Sequence, residues 1–414
     1  MKILINSTIL PYRNVGHGGG AILFRLIEIL SKRHQLFLAA MYEPFEKEKL
    51  VELQTMLNVV CAMPRKETSA EHLTAQAAKR AMWQKIKLWT QGFLNDAFSI
   101  PTPDVKAFSD AVLRHVRQER YDIIQIEFPQ WLSYLVRRIG LANVVGAAHD
   151  VVFKAFERMR SQKKTTAHRL LANLRYMLSK RNELATYKHL RCVYTLSDFD
   201  KQLLLKAEPT LNVQTRQAGF PLPTLPLSIK REPKMILFVG YLARGENQDG
   251  VWFLINEVMP IVWRQNPDAS LHIVGGGAPK NMLEHHNGQT VIFHGYQENL
   301  EPFYQRARVM AVPVFVGGGI ITKLIESLMH ALPSVSTTIG NEGVQAKPNE
   351  AILIADTATD FAKHINALID NDEMHKRISQ AARQHFENNF HIERVVQQLE
   401  QSYQQLLNEE KACN

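Results

Sequence analysis

The chain reads as an α/β protein with two parallel-sheet domains in tandem, and three observations predict it. Short apolar runs alternate with helical stretches along most of the sequence. A proline-rich break divides those runs into two series. The chain's 414 residues also exceed one ordinary core and suggest two domains of roughly 200 residues each. The first series comprises 3–9 (ILINSTI), 36–42 (LFLAAMY), 57–62 (LNVVCA), 122–127 (DIIQIE), 143–149 (NVVGAAH) and 192–196 (CVYTL). Residues 219–233, GFPLPTLPLSIKREP, contain four prolines and a glycine and resist regular structure. The second series is 235–240 (MILFVG), 270–275 (SLHIVG), 290–295 (TVIFHG), 308–314 (RVMAVPV), 333–338 (PSVSTT) and 351–355 (AILIA). The last stretch, about 357–411, reads as consecutive helices. Two Rossmann-like domains are expected. Ligands of such sheets bind at the carboxyl ends of the strands, which places a cleft between the domains.

Composition narrows the class. Hydrophobic residues make up 45% and charged residues 21%, the balance of a globular protein. No apolar run reaches the roughly 18 residues of a spanning helix. The N-terminal MKILINSTIL has polar Asn6, Ser7 and Thr8 inside its apolar run and lacks a small-residue cleavage site. It reads as a first buried strand, and a cytoplasmic protein is expected. Cys61, Cys192 and Cys413 have no metal-like spacing and suit a reducing compartment. The net charge of +9 is uneven: residues 1–220 carry +14 and residues 221–414 carry −5. Such asymmetry suits an anionic partner for the first half.

The stretch most suggestive of chemistry is 316–333, VGGGIITKLIESLMHALP. Apolar residues at Ile321, Leu324, Ile325, Leu328, Met329 and Leu332 make a helical stripe, with Lys323, Glu326 and His330 on the other face. The plain reading is a loop followed by a surface helix with an (i, i+3) ion pair. The sharper one is a phosphate seat. Gly317, Gly318 and Gly319 follow a strand at its carboxyl end, where a helix N-terminus offers unsatisfied N–H groups and about half a positive charge. Lys323 can add a full charge, and Glu326 can accept from a vicinal diol such as ribose.

Around this stretch the segments ILFVGYLARGENQDGVWFLINEVMPIVWRQNPDASLHIVGGG, VIFHGYQENLEPFYQRARVMAVPVFVGGGIITKLIESLMHALPSVSTTIGNEG and ILIADTATDFAKHINALI follow one another. Together they resemble the C-terminal domain of the family 4 glycosyltransferases, retaining enzymes of the two-domain GT-B fold. The resemblance covers about 236–390 and is to the branch with a Gly-Gly-Gly loop before the donor-binding helix. It implies that Glu326 binds the nucleotide ribose. It further implies that Gly317, Gly318, Gly319 and Ile320, with Thr322 opening the helix, hold the pyrophosphate and sugar beside Lys323. Gly318 stands where the wider family has a second glutamate, and Ile321 where an arginine is common. The family's Arg and Lys clamp is missing in register from GYLARGENQDG, where Arg244 is the candidate substitute against a plain exposed-loop reading. The implied domains are 1–220, joined by the last helix at about 392–411, a linker at 221–233, and a donor-binding domain at 234–391.

The first domain resembles the family more loosely. Its glycine-rich loop in LPYRNVGHGGGAILFRLIEILSKRHQLFLA implies that Gly18, Gly19 and Gly20 reach the donor phosphate and the acceptor. The G-x-G-x-x-A spelling at 16–21 is set aside as a dinucleotide signature, because such a turn follows its strand immediately. VVGAAHD ends a strand at His149, where the family places a histidine facing the donor sugar. Asp198-Phe199-Asp200 looks like a metal motif, yet Ser197 three residues before an acid also opens a helix as a capping pair. The capping reading is preferred, and neither a metal nor a cofactor is expected. Residues 151–191 contain eleven Lys+Arg against two Glu. KRAMWQKIKLW at 79–89 interleaves Lys79, Arg80, Lys85 and Lys87 with Trp83 and Trp89. These basic stretches suit an anionic membrane surface, or simply solvated helix faces. No nucleic-acid motif accompanies them.

The expected function is transfer of a sugar, with retention, from a UDP-, GDP- or dTDP-linked donor to a hydroxyl of a glycan or lipid-linked acceptor. Cell-surface polysaccharide or glycoconjugate synthesis is the expected setting, in the cytoplasm or peripherally on the inner membrane face. The alternatives are a nucleotide-sugar epimerase or hydrolase of the same fold, and a non-catalytic nucleotide-sugar-binding member.

Overall fold

The computed structural model describes residues 1–13, 15–65, 98, 100–161, 166–224, 231–317 and 319–413. The chain divides into two units: residues 1–217 with 396–414, and residues 218–395.

The first unit is built on seven parallel strands: β1 (Lys2–Ser7), β2 (Gln35–Tyr42), β3 (Asn58–Pro64), β4 (Ile123–Glu127), β5 (Val144–Ala148), β6 (Cys192–Thr195) and β7 (Val213–Thr215). Their spatial order is β3-β2-β1-β4-β5-β6-β7. The central strands are continuous apolar runs because helices cover both faces of a parallel sheet. Ile3, Leu4, Ile5, Val144 and Val145 are fully buried. One face packs Phe108, Val112 and Leu135 over Leu4 and Ile124, and a second cluster joins Phe153, Tyr187 and Leu204 to Val193.

The second unit has six parallel strands: β8 (Met235–Val239), β9 (Ser270–Val274), β10 (Val291–Gly295), β11 (Val309–Val312), β12 (Ser334–Ser336) and β13 (Leu353–Ile354). Their order is β10-β9-β8-β11-β12-β13. Its core gathers Ile236, Phe238, Leu271, Ile273, Val309 and Ala311 with Phe361 and Ile365 of the helix Ala358–Asp370. Three consecutive helices close the chain, Ala358–Asp370, Asp372–Asn389 and Ile392–Cys413. Arg231 braces this unit. Its Nη1 donates to the carbonyls of Tyr304, Gln305 and Ala307, and its Nη2 to those of His330 and Ala331.

All twelve expected strands are present, within two or three residues at their ends. The sequence pattern missed β7, a three-residue edge strand with a polar centre at Gln214. Within the expected linker, residues 225–230 lie outside the described residues.

Candidate active site

In the second unit the winding of the sheet reverses between β8 and β11, and ligand crevices form at the carboxyl side of such a reversal. Helix Gly245–Phe253 follows β8, and helix Thr322–Met329 follows β11. Neither N-cap, Arg244 or Ile321, makes a side-chain cap bond. Elsewhere in the unit Thr337, Thr357 and Asn371 cap their helices, whereas Val258, Pro279 and Leu300 make no such bond. What sets these two uncapped starts apart is their place: they flank one switch point, and their first turns meet. Lys323 Nζ donates to Asn247 Oδ1 at 2.9 Å. Gly240 lets Asn247 sit so close to the strand end, since a Cβ there would lie 2.9 Å from Asn247 Oδ1.

Lys323 retains some exposed surface, but its ammonium packs 4.3 Å from the centroid of the Phe238 ring. Burial lowers its pKa from 10.5 to about 7, against the opposing pull of Glu326. One neutral amide oxygen and a ring face are weak company for a buried cation. A diphosphate would supply the missing negative charge. Glu326 Oε2 accepts from the Tyr304 hydroxyl at 2.8 Å, and the Tyr304 ring stacks 5.3 Å from His330. Burial, and then the Glu326 charge, hold the Tyr304 hydroxyl protonated by raising its pKa well above 10.0. The carboxylate is thereby oriented by a donor that does not titrate. His330 is buried and not on an open polar face, and burial pushes its pKa down to about 4.

Gly317, Gly319, Ile320 and Thr322 are half-buried on the loop leading into this helix, and Gly318 lies outside the described residues. Arg244 is exposed at the start of the neighbouring helix. Sequence reasoning missed Asn247 and Tyr304. It also missed two exposed rings near the strand ends, Tyr241 after β8 and Tyr296 after β10, 60% and 75% exposed. Gly276 and Gly277 pack against them: a Cβ on Gly277 would lie 3.0 Å from Tyr241 Cε2, and one on Gly276 would lie 3.4 Å from Tyr296 Cβ. Aromatic faces left open at strand ends can stack on a planar ligand.

In the first unit the reversal lies between β1 and β4. Gly18–Gly20 begin the helix Gly18–Leu30, whose N-cap His17 accepts from the Gly20 N–H. Gly19 must be glycine: its Cβ would lie 2.5 Å from Phe128 Cζ and 3.0 Å from His149 Nδ1. Gly18 faces open space, whereas Gly20 packs against Val15 and Ile9. Phe128, with a positive φ of 54°, stacks on His149 at 4.1 Å and on Trp131 at 4.7 Å.

His149 Nε2 donates to Glu127 Oε2 at 2.5 Å, and Arg216 grips both carboxylate oxygens at 3.1 and 3.3 Å. Gln125 adds a further donor to Glu127, and Tyr403 of the last helix donates to Gln125. Burial alone would raise the Glu127 pKa, but Arg216 and the His149 hydrogen bond outweigh it and hold it at about 2. A charged carboxylate only accepts, so His149 must carry its proton on Nε2. Its Nδ1 is buried and has no hydrogen-bond partner in the described structure. In the neutral ring that atom is an acceptor beside Gly19.

The Asp-x-Asp motif resolves as a cap. Ser197 Oγ accepts from the Asp200 N–H, and the Asp200 carboxylate pairs with buried Lys154 at 2.5 Å. Among the described residues no cluster of His, Cys, Asp or Glu is arranged to hold a metal ion, and no helix is long and apolar enough to cross a membrane. The tryptophan-bearing stretch 79–89, with Trp83 and Trp89, lies outside the described residues.

Both units thus define a class: parallel Rossmann-like sheets of the GT-B glycosyltransferase fold. Residues 233–371 match the family described as Glycosyl transferases group 1. Among curated proteins, an uncharacterized 44.6 kDa protein in the cps region of Klebsiella pneumoniae is 30% identical over 138 residues, 31% of this chain and 36% of that one. The matched segment thus spans about a third of that relative's length. Sucrose-phosphate synthase from Thermosynechococcus elongatus superposes with a TM-score of 0.68 at 16% identity, covering 99% of this chain and 100% of its own. HepE of Anabaena, solved in complex with UDP, gives 0.65 at 12% identity over 98% and 100% of the two chains. TarM gives 0.65 at 12% identity over 99% of each.

Proposed function

We propose that the protein is a retaining, family 4-type glycosyltransferase that moves a hexosyl group from a nucleotide sugar to a hydroxyl of a glycan or lipid-linked acceptor. The observation that carries this reading is the meeting of two helix starts without side-chain caps at the β8/β11 switch point, with Lys323 between them and Glu326 one turn on. A diphosphate docks against the N–H groups and Lys323, the ribose hydroxyls donate to Glu326, and the base stacks near Tyr296. As the C1–O bond to the diphosphate breaks, charge grows on the leaving oxygen, and the dipoles and the cation stabilise it where other enzymes use a metal. The acceptor oxygen bonds to C1 from the same face and passes its proton to the departing diphosphate. Neither a protein nucleophile nor a pair of carboxylates is required. His149 Nδ1 accepts from a hydroxyl of the transferred sugar, with Gly18 and Gly19 beside it.

The Anabaena neighbour was solved with UDP and also with UDP-glucose, which supports a uridine donor among the UDP-, GDP- and dTDP-linked candidates. Cell-surface polysaccharide or glycoconjugate synthesis, on the cytoplasmic face of a membrane, is the setting that fits such an acceptor. The test is a thermal-shift screen of the three donor classes, followed by transfer assays with the one that binds. A donor bound tightly but never turned over, with or without acceptor, would mark a nucleotide-sugar-binding protein instead. Release of free sugar or an isomerised donor with no acceptor present would mark a hydrolase or an epimerase. Replacing Glu326 with alanine is expected to weaken donor binding by about 10- to 100-fold, from charged hydrogen bonds worth about 1.5–3 kcal/mol. Calorimetry showing unchanged affinity in the folded variant would remove Glu326 from the site.

A further inference from the structure

Past the carboxyl ends of β1, β2 and β3 the first unit holds a cavity of about 360 Å³, within the range of about 300–1,000 Å³ that small-molecule sites occupy. Thr8 follows β1, Glu43 and Phe45 follow β2, and Arg65 follows β3. Arg65 is fixed from both sides: its Nη2 donates to the Thr8 carbonyl, and its Nη1 lies 3.6 Å from Glu43 Oε1. Glu46 is buried and accepts from the Glu43 N–H at 2.8 Å and from the Tyr12 hydroxyl. Thr8 is 2% exposed, and its Oγ1 has no hydrogen-bond partner in the described structure. A buried hydroxyl left over in a cavity wall calls for a partner from within the cavity. Phe45, on the short helix Pro44–Glu46, leaves its ring 79% exposed. His17 lines the same cavity and caps the helix whose Gly19 borders His149.

We propose that this cavity takes an uncharged sugar ring, and that Glu43 and Arg65 set that choice. A pyranose matches both halves of the wall, with C–H groups that pack on an aromatic face and hydroxyls that each donate and accept. Phe45 meets the C–H face, and Thr8 Oγ1 bonds one hydroxyl. The adjacent Glu43 carboxylate and Arg65 guanidinium accept from and donate to a neighbouring pair of hydroxyls. Charge selects against an acidic sugar. Glu43 offsets Arg65, and Glu46 leaves the wall one negative charge in excess, so a carboxylate on the ring would enter without a partner. Lys49 stands 5.9 Å from the Tyr12 ring but does not line the cavity. The basic surplus of residues 1–220 is thus absent from this wall. Naming the bound ring as the acceptor rests on the glycosyltransferase reading and on the nearness of His17 and Gly19, whereas binding itself requires neither donor nor turnover.

The experiment is saturation-transfer NMR of the full chain with methyl glucoside, methyl galactoside and methyl glucuronide, followed by titration of those that bind. At least one neutral glycoside is expected to bind about tenfold or more tighter than the glucuronide. Phe45→Ala and Thr8→Val should each weaken the neutral glycoside by about fivefold or more. Their melting temperatures and their affinity for a nucleotide sugar should stay at wild-type level. Glu43→Gln should instead narrow the neutral-over-acidic preference by about fivefold or more, a change of selectivity that a merely structural role would not produce. Wild-type protein that binds neither neutral glycoside, or that binds the glucuronide as well, would overturn the proposal. So would a Phe45→Ala or Thr8→Val protein with wild-type affinity, or a Glu43→Gln protein with unaltered preference. A protein that holds the neutral glycoside but never binds a nucleotide sugar would end the glycosyltransferase reading and leave the sugar cavity standing.

Discussion

Replacement of Lys323 by methionine is expected to cut turnover about 10²–10³-fold, the effect of removing one donor to a developing anion. Stability should not fall with it. The ammonium packs on the Phe238 ring with Asn247 as its hydrogen-bond acceptor, and a methionine of similar length removes the cost of burying a charge there. The pH dependence follows from the same burial. Between about pH 7 and 10.5 the unfolded chain keeps the Lys323 proton while the folded protein has lost it, so this residue's contribution to stability rises with pH across that window. Donor binding runs the other way. A diphosphate against the ammonium pulls its pKa back up, so binding above pH 7 takes up a proton and weakens by up to about tenfold per pH unit. Calorimetry of a nucleotide sugar in buffers of different ionisation enthalpy would read that proton directly, and the methionine variant should show none. Full turnover in the variant would shift the role of cation to Arg244, exposed at the start of the neighbouring helix.

The second unit was more legible in the sequence than the first because its chemistry is local. Lys323 and Glu326 lie one turn apart on a helix that announces itself by an apolar stripe, and the glycines precede them directly. Their partners could not be read, because Asn247 and Tyr304 are 76 and 22 residues from the side chains they bond. In the first unit His149 was legible only as a strand end. What makes it distinctive is Glu127 and Arg216, which are 89 residues apart. A signal was present nonetheless. DIIQIE puts Gln125 and Glu127 in a strand that pairs on both sides, where a parallel sheet buries nearly everything. Polar residues in such a strand call for partners, and these two find Tyr403, Arg216 and His149.

The Glu127 network should separate folding from function when its members are changed singly. Glu127→Ala leaves the Arg216 guanidinium buried beside an unoriented histidine, and breaking a buried pair from one side costs about 3–5 kcal/mol. A marked fall in melting temperature is expected for it. Acid should expose the same dependence in the native protein. The Glu127 carboxyl lies near 2 in place of 4.5, so its stabilisation is complete above about pH 4.5 and is lost as pH falls toward 2. His149→Ala should behave differently. Glu127 keeps both bonds from Arg216, so the fold should hold, while kcat/KM drops about tenfold or more with the loss of one acceptor worth about 1.5 kcal/mol. Nitrogen chemical shifts of His149 in the wild type should report a proton on Nε2, the position the charged carboxylate dictates. A His149→Ala protein that melts early but keeps normal specific activity would make the histidine a packing residue. Phe128 and Gly19 would then form its socket and would not border a sugar site.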